Sequence, residues 1–190
     1  GGGTIGSELC RQIAAMGAKA LMVIENSEFA LHDVSTKLRA VHPGVAIDER
    51  LCDVRDRDSV FHLVEAFRPD LVFHAAALKH VPIVERHAVE AIRTNALGTM
   101  NVADAAQACG ARAMIMISTD KAVRPSSVMG ASKRVSEQLT VHLAPSEGRY
   151  CAVRFGNVLG SRGSVIPTFE RQIEAGGPVT VTDPRMRRYF

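Results

Sequence analysis

The chain has 190 residues, 46% of them hydrophobic and 23% charged, with a formal net charge of +3. That is the make-up of a globular, core-forming protein of one domain, or of one domain and part of another. The basic excess is not gathered into runs, which argues against a nucleic-acid arm, because tracking phosphates needs clustered charge, and no apolar stretch approaches the roughly 20 residues that span a bilayer.

In chain order, Gly1-Gly2-Gly3-Thr4-Ile5-Gly6-Ser7 leads into a helical stripe of Ile5, Leu9 and Ile13, predicting a helix over 5–16. Glycines at a helix start allow a tight turn and let backbone N–H groups approach a pyrophosphate. A glycine run at a terminus also fits a cloning scar or a flexible end. Residues 20–24 are all apolar and predict a buried strand; Glu25 follows it at about the spacing of an acid that binds a ribose. A surface carboxylate or a helix-entry residue is the alternative for Glu25. A helix over 28–41 and a strand over 45–51 come next. Asp53 then stands either at an adenine edge or, in Asp53-Val54-Arg55-Asp56, as part of a helix cap.

Further on, the pattern predicts a helix over 59–67, a strand over 71–73 and one long helix over 84–108, in which Val89, Ile92, Ala96 and Val102 recur at a spacing near 3.6. A strand over 113–117, a helix over 128–143 and a strand over 151–153 complete the regular part. Continuous apolar runs indicate strands covered on both faces. Alternation of β and α at this rhythm predicts an α/β fold, a doubly wound parallel sheet of Rossmann type. Residues 1–154 make a dinucleotide-binding domain. After Arg154 the texture turns to glycine-punctuated loops with one helix over 165–174, the start of a substrate-binding portion over 155–190. The basic spot Arg185-Met186-Arg187-Arg188 reads as a solvated terminus.

No strand precedes the glycine turn, and in a sheet ordered 3-2-1-4-5-6 that strand is the central one. The expectation is therefore a chain truncated at both ends, with about five apolar residues and then Thr-Gly or Ser-Gly directly before Gly1. Alone, such a piece is expected to be poorly stable. Cys10, Cys52, Cys109 and Cys151 are widely spaced, which predicts buried free thiols in a reducing compartment. The seven histidines form no H-E-x-x-H and no mixed cluster, so no metal site is expected.

Ser118-Thr119-Asp120-Lys121 stands where the strand over 113–117 ends, on the carboxyl edge at which open α/β sheets bind ligands. Ser118-x-x-Lys121 matches the penicillin-binding S-x-x-K only formally, since the companion S-D-N and K-T-G segments are absent. Met129-Gly130-Ala131-Ser132-Lys133 has the frame of a Y-x-x-x-K motif, whose two functional residues lie one helical turn apart on one face. Methionine occupies the tyrosine position. By itself this segment reads better as a packing methionine and a solvated lysine.

Five stretches taken together carry a resemblance: residues 73–82 (FHAAALKHVP), 94–99 (TNALGT), 118–123 (STDKAV), 129–134 (MGASKR) and 154–161 (RFGNVLGS). In order and spacing, from Gly1 to Phe190, they resemble the capsular polysaccharide biosynthesis family of nucleotide-sugar 4,6-dehydratases, within the extended short-chain dehydrogenases. Methionine for tyrosine is similar to the large, membrane-anchored members. The resemblance implies that Gly3 and Gly6 hold the pyrophosphate of NAD (or NADP), that Glu25 and Asp53 face the adenosine half, and that Ala75, Ala76 and Ala77 line the cofactor cleft. Asn95 would brace the active-site helix beside the cofactor, and Lys133 would hold the ribose. Thr119 would bond the sugar near carbon 4, with Asp120 and Lys121 as acid and base and Met129 in the catalytic frame. Lys79, Asn157 and Arg162 would touch the UDP-sugar.

The implied reaction converts a UDP-N-acetylhexosamine, UDP-N-acetylglucosamine first, to its 4-keto-6-deoxy derivative. Carbon 4 is oxidised, carbon 5 loses a proton as the carbon-6 hydroxyl leaves as water, and the hydride returns to carbon 6, so the cofactor is tightly bound and recycled. Glu25 would repel a 2′-phosphate, which favours NAD. A homo-oligomer in the cytoplasm, or on the cytoplasmic face of the inner membrane through an upstream anchor, is also implied. Two alternatives stand beside it. A nucleotide-sugar 4-epimerase shares the first step but needs no elimination acid and base, and a dinucleotide-sensing module without turnover would suit Met129, which cannot accept a proton.

Overall fold

The computed structural model describes residues 1–158, 164–181, 183–185 and 187. They belong to two compact units, Gly1–Arg154 and Phe155–Phe190. The first runs α1 (Thr4–Ala15), β1 (Ala20–Glu25), α2 (Glu28–Val41), β2 (Ala46–Leu51), α3 (Arg57–Phe67), β3 (Leu71–His74), α4 (Val81–Arg86), α5 (Ala88–Ala91), α6 (Gly98–Ala108), β4 (Ala113–Thr119), α7 (Val128–His142) and β5 (Arg149–Phe155), the last residue of β5 lying across the boundary.

Strand β1 pairs with β2 in parallel, Ala20 opposite Ala46 and Glu25 opposite Leu51. Strand β3 pairs with β4 in parallel, Leu71 opposite Ala113 and His74 opposite Met116, and β5 flanks β4 on its other side. The orders β2-β1 and β3-β4-β5 are those of strands 3-2 and 4-5-6 in a doubly wound sheet. The α/β fold expected from the sequence is the fold observed. Helix starts follow local chemistry. Ser27 accepts from the Ala30 amide at 3.3 Å to open α2, Asp56 from Ser59 at 3.1 Å to open α3, and Ser127 from Gly130 at 3.1 Å to open α7.

Apolar side chains gather in three clusters. The largest joins Val60 and Val64 of α3, Ala103 and Ala106 of α6, and Met114 and Met116 of β4. A second packs α1 and α2 on β1 through Cys10, Ala14, Val23, Leu31, Val34 and Leu38. The third is small: Val84, Ala91 and Met129. Coverage on both faces holds for β4, of which Met114, Met116 and Ile117 are all buried, but not for its neighbours. Leu71 and Phe73 of β3 and Val153 of β5 are exposed, and so is Cys151. On β5 the buried Tyr150 is followed by the exposed Cys151, so the strand shows an inner and an outer face where the sequence predicted two inner ones. All four cysteines are free, but only Cys10 is buried.

The helix expected over 84–108 is interrupted. His87 leaves helical geometry at φ −129, ψ 51, which ends α4, and Ile92–Leu97 form a π-helical turn ahead of α6. At this turn the Asn95 carbonyl accepts the hydroxyls of Thr99 and Ser136. Side-chain hydroxyls compete with the backbone ladder for such a carbonyl, and an apolar repeat carries no sign of that competition.

In the second unit, α8 (Val165–Glu174) is clasped by the segment after it: Gln172 accepts from the Thr180 amide at 3.0 Å and donates to its hydroxyl at 3.1 Å. No helix among the described residues is long and apolar enough to cross a membrane.

Candidate active site

The glycine turn sits in front of α1. A Cβ on Gly6 would lie 2.5 Å from the Gly1 carbonyl oxygen, so closure of the turn itself requires glycine there. A Cβ on Gly3 would meet nothing within 4 Å. No side chain caps α1 and no acidic residue lies in its first turn. The helix N-terminus thus presents backbone N–H groups and positive partial charge to open space, a setting that suits an anion. Glu25, at the end of β1, accepts from the Gly2 and Gly1 nitrogens at 2.7 and 3.0 Å and from the Asn26 and Ser27 amides at 3.1 and 3.2 Å. Besides standing where a ribose acid would, its carboxylate fastens the glycine turn to β1, a role that spacing alone does not reveal. Asp53 follows β2, and the helix cap there is Asp56, not Asp53. Hydrogen bonds from Arg55, at 2.6 and 2.9 Å, hold the Asp53 carboxyl below the usual range. Arg55 also reaches Glu90 at 2.8 Å.

Ala75 and Ala76, half-buried, and the exposed Ala77 continue from the carboxyl end of β3. Lys79, exposed, follows on the same segment. Asn95 lies at the π-helical turn and is fully buried. Its amide donates to the Leu78 carbonyl at 3.1 Å and to the Ser132 hydroxyl at 2.9 Å, and its oxygen accepts from the Leu78 amide at 2.8 Å. Both amide protons are therefore spent on the protein. Asn95 braces the segment after β3 against α7, with no amide proton left over for a cofactor. Beside it, Thr99 gives its proton to the Asn95 carbonyl, so it must accept from His74 Nε2, 3.0 Å away. Burial pushes the His74 imidazole down to about 3, which keeps it neutral.

Strand β4 ends in Thr119, and Asp120–Ala122 form a single 3₁₀ turn. The Lys121 ammonium donates to Asp120 at 2.9 Å, as does the Thr119 hydroxyl at 2.9 Å. This pair is not buried: the Lys121 side chain is 41% exposed and that of Asp120 51%. Partial burial pushes the Asp120 carboxyl up, but the hydrogen bonds from Lys121 and Thr119 outweigh it and hold it below the ordinary range. In the protein as it stands, Asp120 is an ionised carboxylate, because solvent and its two donors stabilise the charge.

Met129 is corrected from a catalytic position to a packing one. Its side chain is buried in the cluster with Val84 and Ala91. Lys133, one turn later, is not the solvated lysine that the bare pattern allows. It is 5% exposed and donates to the Ile117 carbonyl at 2.6 Å, and burial pushes its pKa down to about 8. Between them, Gly130 lets α7 approach the 3₁₀ turn, since a Cβ there would run into the Lys121 carbonyl.

Glu137 carries an arrangement that the sequence reading missed. It is buried, accepts from the Ser118 hydroxyl at 2.6 Å, and forms a two-point ion pair with Arg154, both bonds 2.8 Å. Arg134 adds a contact at 3.1 Å. The hydrogen bonds from Arg154 hold its carboxyl at about 2. The available signal was its position four residues after Lys133, which puts both charges on one helix face. The Ser118 hydroxyl is committed to Glu137. Asn157 lies in the second unit, partly exposed. Arg162 lies outside the described residues.

Residues 1–190 match the polysaccharide biosynthesis protein family. The chain is 49% identical over 191 residues to the probable polysaccharide biosynthesis protein EpsC of Bacillus subtilis (strain 168), covering 100% of this chain and 32% of that protein. The UDP-glucose 4-epimerase of Rickettsia massiliae (strain Mtu5) is 46% identical over 142 residues, 73% of this chain and 41% of that enzyme. Among solved structures, Pen from Bacillus thuringiensis superposes with a TM-score of 0.91 at 37% identity, over 99% of this chain and 60% of that one. The chain thus spans about a third of the length of EpsC. With its whole length matched and its parallel α/β fold in common with Pen, the chain belongs to the polysaccharide biosynthesis protein family.

Proposed function

We propose that this chain is the dinucleotide-binding and catalytic part of a nucleotide-sugar 4,6-dehydratase acting on a UDP-N-acetylhexosamine, UDP-N-acetylglucosamine first. The observation that carries this is Asp120–Lys121, an acid and a base 2.9 Å apart on the carboxyl edge of β4. The uncapped start of α1 and the open space before Gly3 fit a dinucleotide. Gly3 and Gly6 would hold its pyrophosphate, Glu25 and Asp53 its adenosine half, Ala75, Ala76 and Ala77 its flank, and Lys133 its nicotinamide ribose. When bound, the nicotinamide supplies a reversible hydride acceptor, retained from one turnover to the next. The negative charge of Glu25 favours NAD over NADP.

Thr119 bonds the carbon-4 oxygen, and Lys133 takes the carbon-4 hydroxyl proton, for which a pKa near 8 suits it. Lys121 removes the carbon-5 proton while Asp120 protonates the departing carbon-6 hydroxyl, and Lys121 returns a proton to carbon 5 as carbon 6 is reduced. Lys79, Asn157 and Arg162 contact the UDP-sugar. The complete protein is a homo-oligomer in the cytoplasm or at the cytoplasmic face of the membrane.

The likeness to the Rickettsia UDP-glucose 4-epimerase favours a second reading, 4-epimerisation. Incubating the complete protein with UDP-N-acetylglucosamine separates the two: a dehydratase gives a product lighter by one water, an epimerase an isomer of unchanged mass, and a dinucleotide sensor neither. In the dehydratase, Asp120→Asn and Lys121→Met build up enzyme-bound reduced cofactor and release little product. Each proton transfer is worth about 10²–10⁴ in rate. Both variants forming the 4-keto-6-deoxy sugar within about tenfold of the parent rate would remove the acid–base assignment.

A further inference from the structure

We propose that Glu137 is a positioning residue, whose buried carboxylate registers the catalytic end of β4 against α7 and β5. Three elements meet on this one group. Ser118, which donates to it at 2.6 Å, immediately precedes Thr119, Asp120 and Lys121. Lys133 stands one turn before it on α7 and donates to Ile117, the residue before Ser118. Arg154 of β5 closes the arrangement with two bonds of 2.8 Å. Helix α7 is thus fastened to consecutive residues of β4, once by Lys133 and once by Glu137, and only Glu137 also reaches β5.

Glu137 hydrogen-bonds none of the groups placed on the substrate or cofactor, so its effect is transmitted through Ser118, through the seating of α7 and through its charge, which partly offsets the burial that pushes Lys133 down. A carboxylate suits this place because it accepts from Ser118 and from both arms of a guanidinium at once, where an amide would present two protons toward donors. Fixing the Thr119–Lys121 turn relative to Lys133 matters because the proton of the carbon-4 hydroxyl and that of carbon 5 leave atoms two bonds apart on one sugar. Misplacement by about 1 Å can cost a hundredfold in rate.

The test uses the complete protein and two changes. Ser118→Ala removes the strand-side hydrogen bond and leaves the ion pair whole. The double variant Glu137→Met, Arg154→Met removes the buried carboxylate together with its exposed partner, so that no unpaired charge is left between them. Hydrogen–deuterium exchange is followed at residues 119–123, and kcat and KM are measured with UDP-N-acetylglucosamine. In the double variant KM stays within about threefold, while kcat falls at least about tenfold. In both variants the amides of 119–123 exchange at least about tenfold faster, with the rest of the fold unchanged. A double variant that regains kcat and exchange protection together, or a Ser118→Ala protein with neither changed, overturns the proposal. The kinetic arm rests on the dehydratase reading and the exchange arm does not. Faster exchange in a protein that forms no 4-keto sugar leaves Glu137 in its role and removes the dehydratase.

Discussion

Replacing Lys133 by methionine should abolish turnover while leaving the fold as stable as before or more so. The native pKa of about 8, against an ordinary 10.5, means that holding the charged ammonium in its buried site costs about 3 kcal/mol at neutral pH. The hydrogen bond from Nζ to the Ile117 carbonyl, at 2.6 Å, returns about 1.5–3 kcal/mol because its donor is charged. Methionine keeps the unbranched stem, so the net change at pH 7 is about 0 to 2 kcal/mol in favour of the variant. The sign follows from proton counting. Between about pH 8 and 10.5 the unfolded chain holds a proton that the native state has released, so parental stability rises with pH across that window. Below about pH 8 the penalty is fully present, and the variant never carries it. Thermal unfolding of the complete protein and of Lys133→Met, at pH 7 and at about pH 9.5, should show the variant level or ahead at the lower pH and the parent gaining on it at the higher. Turnover should fall at least about a hundredfold. A variant destabilised by more than about 2 kcal/mol at pH 7 would mean that Lys133 is held for its brace to β4 and not for its reactivity.

Glu25→Gln removes the charge but keeps an oxygen for the Gly2 amide, so affinity for NADP relative to NAD should rise by about tenfold in fluorescence titrations. Glu25→Ala should instead weaken both cofactors, because it releases the glycine turn; an unchanged ratio in Glu25→Gln would show the acid to be misassigned. Met129→Leu conserves volume among Val84 and Ala91 and should cost less than about 1.5 kcal/mol, with kcat within about threefold. A Met129→Leu protein of parental melting temperature and cofactor affinity but crippled turnover would restore the methionine to the chemistry.

The sequence made the sheet legible because strands β1, β3 and β4 are runs of apolar residues between helices of 3.6 periodicity. The π-helical turn left no trace in the apolar pattern, since Val89, Ile92, Ala96 and Val102 keep a helical spacing across it. What decides that turn is polar: the hydroxyls of Thr99 and Ser136 converging on one carbonyl from α6 and α7, which is a tertiary fact. The site divides in the same way. Motif spacing picked out Asp120, Lys121 and Lys133, because consecutive residues and helix turns fix their neighbourhood. It gave no account of Glu137, whose partners Ser118 and Arg154 are 19 and 17 residues away. For Met129 the segment taken alone already read as a packing methionine, and its burial against α4 and α5 is that packing.

The ionised state of Asp120–Lys121 is compatible with the elimination assigned to it, through the proton count of the pair. Lysine must act as a neutral amine and aspartate as a carboxylic acid, and moving one proton across their 2.9 Å hydrogen bond makes both changes at once. No proton need enter from solvent. In water this transfer is uphill by the full gap between the two groups, about 6.5 pKa units or 9 kcal/mol. Burial disfavours both charges while their mutual attraction opposes the transfer, so the neutral pair is reached only if both groups are covered. Neither is covered in the protein alone, so the pair rests as an ion pair. A sugar laid over the 3₁₀ turn would exclude water from both groups together and release the neutral pair only when there is a carbon-5 proton to remove. When Lys121 has taken that proton and Asp120 has given its own to the departing oxygen, the pair is again an ammonium and a carboxylate. Elimination then begins from a neutral pair that only a covered site sustains and ends on the ion pair that solvent favours; carbon 5 takes its proton back from Lys121 as carbon 6 is reduced, and the proton that Lys133 holds from the carbon-4 hydroxyl makes up the count of the pair.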